Sequence, residues 1–435
     1  MEVDEQLLVA CEACKVKKVK RLLNNSNINL FYQNTHNQTS FWIACSFGQV
    51  EIVKLLLQDE RMNINIINQV DCYQRTPLFI ACENGFFKVV EILLTDERVD
   101  RNQPKESISP FHFACESGNI KLVELLLKDS KVDVNQEDDE GWTPFHSACR
   151  QGYIEIVEIL LNDSRVKVNQ GNNHEETPFK TACVVKRNEI VKLLLRNKEV
   201  DINKADVFER TPLIVASSHG YLELLKLLLN DERIESKVGI QTPLLVACED
   251  GYIEGIKLLL SNERIDINQA KDNSQTPLLV ACKDGRIECV KLLLNDKKID
   301  VNKTNNRGET PLWIACSSGR IEIVKLLLNN KRIDINEANI FGETPFGIAC
   351  EKGFLEIVQY LLASEKGVTI RNLKRRKEIE RRICESQEKF QLLKKYENVI
   401  ELLESFKRDP NQTRTKLRLQ LGLTGKHFEI HFLFF

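Results

Sequence analysis

The amino-acid sequence predicts an all-α chain: a stack of short helix–turn–helix units with protruding hairpin-like loops, followed by a helical tail. Three observations predict it. One alanine recurs as Ala10, Ala44, Ala81, Ala114, Ala148, Ala182, Ala216, Ala247, Ala281, Ala315 and Ala349, at intervals of 34, 37, 33, 34, 34, 34, 31, 34, 34 and 34 residues. It sits in a nearly repeated word, "TPLFIAC" from Thr76, "TPLLVAC" from Thr242 and Thr276, and "TPLWIAC" from Thr310. Each word precedes an apolar run at helical spacing, as in "RIEIVKLLLNN". A fixed period of roughly 20–50 residues marks a repeat architecture, so chain length does not convert into a count of globular domains.

The unit that opens at Thr310 shows why each part forms. Thr310 suits an N-cap and Pro311 the first helical position, where a missing N–H is no loss and φ is already set. Leu312, Ile314, Ala315 and Cys316 give this helix its apolar side, and Gly319 supplies the positive-φ residue that ends it after about two turns. The second helix follows at once, with Ile321, Val324, Leu327 and Leu328 at helical spacing and Ile323 and Leu326 widening the stripe. After Asn330 the alternating "RIDIN" reads as extended, and "NNRGE" as a turn. Isolated helices shorter than about 12–15 residues are marginal in water, so stacking on neighbouring units must supply the missing burial.

These residues resemble the ankyrin repeat family over residues 1–366, about eleven units. Nine units carry the opening proline (Pro77, Pro110, Pro144, Pro178, Pro212, Pro243, Pro277, Pro311, Pro345). Nine carry glycine four residues after the alanine (Gly48, Gly85, Gly118, Gly152, Gly220, Gly251, Gly285, Gly319, Gly353). Two keep the family's histidine, His112 and His146. The departures are specific. The first unit has Glu5-Gln6 for Thr-Pro and Cys14 for glycine, as suits a polar N-terminal cap. Lys186 stands in a glycine slot, which implies either strain or a helix that runs on. The 31-residue interval predicts a shortened finger around 234–241.

Beyond 366 the pattern decays. Residues 367–410 read as a basic helical tail, with a degenerate capping repeat as the alternative; Pro410 ends the helix, and 411–435 is an extension closing on the apolar, strand-like "HFEIHFLFF". From residue 371 onward there are 16 Lys+Arg against 9 Asp+Glu, which leaves a net charge of −9 before it from the whole-chain totals of 61 and 63. The basic run is Arg371, Lys374, Arg375, Arg376, Lys377, Arg381 and Arg382. It reads as a nuclear import signal, as a contact for nucleic acid or anionic membrane, or as a solvated helix face diluted by Glu378 and Glu380.

Ten cysteines fill the slot after the repeated alanine. Stacked helices lie about 8–10 Å apart, beyond the roughly 7 Å Cα limit of a disulfide, and one thiol per repeat does not converge on a metal. Small, buried packing is the remaining role, and Ser217 in the same slot agrees with it. "CEAC" at Cys11 and Cys14 is the one Cys-x-x-Cys, and Cys72 is expected to be the exposed thiol. His112 and His146 have no nucleophile or orienting acid in a recognised arrangement, and the resemblance makes them structural. No nucleotide loop, His-Glu-x-x-His or calcium loop is present, and "EDDEG" at 137–141 reads as a solvated finger tip. The expectation is a non-enzymatic protein with no catalytic, cofactor-binding or metal residues.

The resemblance implies contact with a protein partner through the finger tips and the first-helix residues after the Ala-Cys pair. By register the tips present Tyr73, Trp142, Phe208 and Phe341, and the helices present Phe47, Arg150, Gln151, His219, Lys283 and Asp284. The alternative for each tip aromatic is that it folds back on its neighbour. The function expected is a scaffold binding a protein through finger tips and concave helix face. The alternative is an adaptor whose tail recruits a second factor, membrane or nucleic acid. An acidic N-terminus and the lack of a long apolar run predict a cytoplasmic chain, with the nucleus as the alternative.

Overall fold

In the structure, a computed structural model, residues 3–236, 241–271, 273–364 and 389–423 are described. They fall into two compact units, Met1–Pro212 and Leu213–Phe435. In the first, six helix pairs follow one another: Val3–Glu12 with Val16–Leu23, Ser40–Ser46 with Val50–Leu57, Pro77–Glu83 with Phe87–Thr95, Pro110–Ser117 with Ile120–Leu127, Pro144–Gln151 with Ile154–Leu161, and Pro178–Val184 with Asn188–Arg196. The 37-residue interval accommodates one extra turn of helix, Ile64–Ile67.

The second unit continues the series from Pro212–Ser218 with Leu222–Asn230. Pro243–Asp250 with Ile253–Ser261, Pro277–Asp284 with Ile287–Asn295, Pro311–Ser317 with Ile321–Asn329 and Pro345–Glu351 with Leu355–Ala363 follow. Two further helices, Lys389–Arg408 and Pro410–Gln420, pack on Leu355–Ala363. Val399, Phe406 and Leu417 are buried there, and Arg414 Nε donates to the Leu362 carbonyl at 3.3 Å. Pro410 ends one helix and starts the next, with Asp409 accepting from the Gln412 N–H.

The repeated word does locally what its chemistry dictates. The Thr76 hydroxyl accepts from the Phe79 N–H at 3.0 Å and the Thr310 hydroxyl from the Trp313 N–H at 3.1 Å, each cap contributing about 1 kcal/mol. Gly118 ends its helix at φ 76°, and a Cβ there would lie 2.7 Å from the ring of Tyr153, which opens the next unit's second helix. The glycine is thus required by backbone hand and by close approach together. Where Lys186 replaces it, the helix stops at Val184 and Lys186 itself adopts φ 58°, so the helix does not run on.

The core is narrower than the periodicity suggests. Ile323, Val324 and Leu327 are buried, while Ile321, Leu326 and Leu328 are half-buried. Each fully buried Val, Ile or Leu contributes about 1.5–3 kcal/mol. The ten slot cysteines are buried and unbridged, and burial pushes the Cys11 and Cys350 thiols up to about 12. Ser217 fits the slot by donating to the Leu213 carbonyl at 2.8 Å. Cys72 is exposed as expected, and so is Cys14.

The segment read as extended forms no strand. Among the described residues the only bridges are the isolated pairs Gln33 with Thr39 and Lys105 with Ile108. Ile333 and Ile335 are buried in alternation, but the backbone polar groups pair with side chains instead of a ladder. Asn302 donates from Nδ2 to the Arg332 carbonyl at 2.9 Å and accepts at Oδ1 from the Asp334 N–H at 2.8 Å. Asn68, Asn102, Asn135, Asn169 and Asn268 do the same toward the unit that follows each. A carboxamide has the donor and acceptor of a peptide group, so each asparagine stands in for one strand residue.

A second stitch joins consecutive units. Arg61 forks onto the Asp59 carboxylate and reaches the carbonyls of Asn25 at 2.7 Å and Leu23 at 2.8 Å. Arg98 with Asp96 and Arg165 with Asp163 repeat it onto Leu57 and Leu127. The leucine carbonyls are helix C-terminal groups, so the guanidinium satisfies orphan acceptors at the negative end of a helix dipole. The hydrogen bond from its arginine holds each of these three aspartates below the usual carboxylate range.

Candidate interaction surface

Most of the finger tips are organised by one leading Asp or Asn; the fingers that open at Pro104 and Lys271 are not. The Asp71 Oδ1 accepts from the Tyr73 N–H at 3.0 Å and the Arg75 N–H at 2.8 Å, and its Oδ2 takes the Arg75 Nε and NH2 at 2.9 and 2.7 Å. Asn339 holds the Phe341 and Glu343 N–H groups in the same way, but its Nδ2 donates to Glu343 Oε2 at 2.9 Å. A rule links the first and fifth residues in five of the fingers, and Asp138 with Trp142 and Asn172 with Glu176 depart from it. Aspartate, with only acceptors, is paired with arginine (Asp71 with Arg75, Asp206 with Arg210); asparagine, with a donor to place, is paired with glutamine or glutamate (Asn34 with Gln38, Asn305 with Glu309, Asn339 with Glu343).

The fourth residue turns left-handed, as at Gln74 (φ 61°) and Gly342 (φ 73°). In several fingers the second donates its N–H to the preceding finger. In the first unit Cys72 reaches the His36 carbonyl, Asn173 that of Glu140, and Val207 that of His174; in the second Ile340 reaches Arg307. The backbone is consumed, which leaves the second and third side chains free to project.

The predicted residues sort onto these positions unevenly. Tyr73, Phe208 and Phe341 are third residues of their fingers and are exposed, Phe208 by 66% and Phe341 by 64%; Val207 and Ile340 beside them are exposed too. Trp142 is not at a tip. It is a fifth residue and half-buried, turned back so that its ring meets His146 edge-on at 5.5 Å with the Arg150 guanidinium 5.2 Å above it. The tip of that finger is 139–141. Phe47, Arg150, His219, Lys283 and Asp284 are exposed at the C-terminal ends of first helices, and Gln151 is half-buried. The His219 ring lies 5.1 Å from that of Tyr221. The basic run from Arg371 to Arg382, the apolar end 427–435 and residues 237–240 of the expected short finger lie outside the described residues.

A buried polar column escaped the sequence reading. The fourth residue of the repeated word is Trp42, Phe79, His112, His146, Lys180, Ile214, Leu245, Leu279, Trp313 and Gly347 in successive units. Lys180 is fully buried and pairs with Asp206 and, at 3.5 Å, with Glu176, while Arg210 meets Asp206 at 2.7 Å. Burial would raise the Asp206 carboxyl, but hydrogen bonds from Lys180 and Arg210 outweigh it and hold it below its usual range. His146 accepts at Nδ1 from the Thr143 N–H at 3.1 Å and bonds through Nε2 to the Glu176 carbonyl at 2.8 Å. His112 Nε2 meets Ser147 Oγ at 2.7 Å. Burial lowers both histidines, His146 to about 4. They are neutral spacers in a packed row. Writing the ten words one above another would have exposed Lys180 as the lone cation.

Among the described residues no three His, Cys, Asp or Glu side chains are placed to hold a metal ion, and no helix is long and apolar enough to cross a membrane. Open grooves among the described residues include one of about 790 Å³ beside Phe31, Ile64 and Gln103 in the first unit and one of about 610 Å³ beside Ile253, Ile287 and Cys289 in the second.

No curated protein matches the chain. Among solved structures it is similar to the human ASB11 ankyrin repeat domain, at 26% identity and a TM-score of 0.43, over 52% of this chain and 98% of that one. It is also similar to the ankyrin repeat domain of Bcl-3, described as a unique member of the IκB protein family, at 24% identity and a TM-score of 0.47, over 51% of this chain and 99% of that one. A family model described as ankyrin repeats in three copies matches residues 7–105, 95–172, 165–238, 213–305 and 297–372, which overlap to span most of the sequence. With that match laid over paired helices, capped words and stitched fingers, the chain belongs to the ankyrin repeat family.

Proposed function

We propose that the protein is a non-enzymatic scaffold that binds a protein partner through its finger tips and the exposed ends of its first helices. Ankyrin repeats generally mediate protein–protein interaction and are typically without catalytic activity. The observation that carries the finer reading is the exposure of Tyr73, Phe208 and Phe341 on fingers whose backbone N–H groups are all hydrogen-bonded. Large apolar side chains held out to solvent on a rigid base give binding area with little ordering cost. Phe47 and Arg150 in the first unit, and His219, Lys283 and Asp284 in the second, add exposed first-helix ends to each unit's own face. Alanine at Tyr73, Phe208 and Phe341 should weaken a captured partner at least tenfold, whereas alanine at the exposed second-helix residues Glu91 and Glu254 should not. Equal loss from both sets would end this reading.

The adaptor reading rests on the charge of the tail. Arg375, Arg376 and Lys377 are consecutive cations, and the helices after them support reading 367–410 as a cap on the last repeat. Neutralising these three to glutamine in the full-length chain should remove a distinct class of captured partners, or nuclear accumulation, if the tail recruits a second factor.

A further inference from the structure

Three neighbouring fingers of the first unit, 138–142, 172–176 and 206–210, form a continuous row. The Asn173 N–H and Nδ2 bond to the Glu140 and Asp139 carbonyls, each at 3.0 Å, and the Val207 N–H to the His174 carbonyl at 3.1 Å. At one end stand Val207 and Phe208, 52% and 66% exposed, with the Arg210 guanidinium 5.0 Å from the phenyl ring. Glu209 projects beside them and Asp139 and Glu140 from the far finger, all exposed and none in an ion pair; Glu175 is shared with Lys204 at 3.1 Å. The exposed carboxylates are Glu137, Asp139, Glu140, Glu175 and Glu209, five in all, against exposed Arg150 and Arg210 and half-buried Lys204. Beneath the centre Asn172, 95% buried, has an Nδ2 without an acceptor, because Glu176, its partner by the first-and-fifth rule, has turned to Lys180.

An exposed apolar patch marks a binding surface, and the sign of its surroundings selects what comes to it. We propose that this row docks an extended cationic segment of a partner protein, with an apolar side chain against Val207 and Phe208 and Lys or Arg opposite Glu209, Glu140 and Asp139. The proposal deepens the interaction reading above and rests on it. The geometry sets the spacing. Fingers repeat at the helix-packing distance of about 10 Å, so the outer two are about 20 Å apart, which an extended chain covers in about six residues. The apolar contact supplies most of the affinity, since exposed ion pairs contribute little individually; the carboxylates supply association rate and discrimination. The same charges repel phosphate, so nucleic acid and anionic headgroups are not the occupants of this face.

The test uses the full-length protein and three fluorescent twelve-residue peptides in which Leu alternates with Arg, Glu or Ser. Anisotropy titrations at low and moderate salt should show the Arg peptide binding at least tenfold tighter than the Ser peptide, and the Glu peptide not binding. The triple variant Asp139→Asn, Glu140→Gln, Glu209→Gln should abolish the Arg preference and leave the Ser peptide unchanged. Phe208→Ser should weaken both peptides at least fivefold. A control triple on the second helices, Glu51→Gln, Glu124→Gln, Glu158→Gln, should change nothing. The inference is overturned if the Arg preference survives the tip triple, if the control triple erases it equally, if Phe208→Ser has no effect, or if no peptide binds. Equal binding of all three peptides with dependence on Phe208 overturns the charge selection while the interaction reading stands.

Discussion

Trp42 and Arg75 hold each other across 33 residues. The Trp42 Nε1 donates to the Arg75 carbonyl at 2.8 Å, and the Arg75 guanidinium lies 5.4 Å from the Trp42 ring while forked on Asp71. One side chain thereby ties a first helix to the finger of the next unit, and its other face covers Tyr73 at 5.0 Å.

Replacing Arg75 removes a charge-assisted fork, so Arg75→Ala should destabilise by about 1.5–3 kcal/mol, read as a lower urea midpoint at unchanged slope. Arg75→Lys should recover less than half, because an ammonium does not match a carboxylate bidentately. Full recovery by lysine would show that charge alone matters there.

Two glycines should respond oppositely to alanine. Gly255 lies inside the helix Ile253–Ser261, and a Cβ there would meet Leu225 at 3.7 Å, an ordinary contact. Gly255→Ala should stabilise by about 0.5–1 kcal/mol. Gly118→Ala meets the Tyr153 ring and a positive φ together and should lower the thermal midpoint.

Acid should act first through His146. Unfolded, it takes a proton near pH 6.5; folded, only near 4. Between these values the unfolded state holds more protons, so stability is complete above 6.5 and falls as pH drops. The loss is about 1.4 kcal/mol by pH 5.5 and about 3 kcal/mol by pH 4. The lowered His112 adds in the same direction. His146→Leu should flatten the dependence, and a slope unchanged in that variant would exclude His146 as its source.

The asparagine ladder makes a chemical distinction. Asn302→Ala should cost about 1–2 kcal/mol by losing two hydrogen bonds, and Asn302→Asp more, because a carboxylate oxygen would then face the Arg332 carbonyl. An aspartate variant as stable as wild type in denaturant titrations would show that the ladder carries no load.

Leu417, buried against the last repeat, should cost about 2–5 kcal/mol locally when truncated to alanine. Hydrogen exchange should then speed up within Leu355–Ala363, on which its helix packs, and in the first unit remain unchanged.

The helix pairs were legible because their signals are local and repeated: threonine, proline, small pair, glycine. The loops were not. "RIDIN" alternates as a strand does, since Ile333 and Ile335 are buried, yet its polar groups are satisfied by asparagines whose partners lie about 30 residues away, which one repeat read alone cannot show. Trp142 reads as a tip residue in the sequence for a related reason. The finger is a five-residue device opened by Asp138, and only that frame distinguishes an outward third residue from an inward fifth one. Lys180 places one cation in a column otherwise of apolar residues and neutral histidines, and its partner Asp206 lies 26 residues on.

The first-and-fifth rule has a consequence for how such a chain can change over time. A finger whose frame is closed by aspartate with arginine, or asparagine with glutamate, places no demand on its two outward letters. Those letters are free to drift toward a new ligand while the frame stays folded. The frame itself changes most readily by a paired exchange: aspartate to asparagine alone sets an amide hydrogen against the guanidinium that the carboxylate held. Fingers should therefore be transplantable between positions as whole five-letter words, and resist being rewritten one letter at a time.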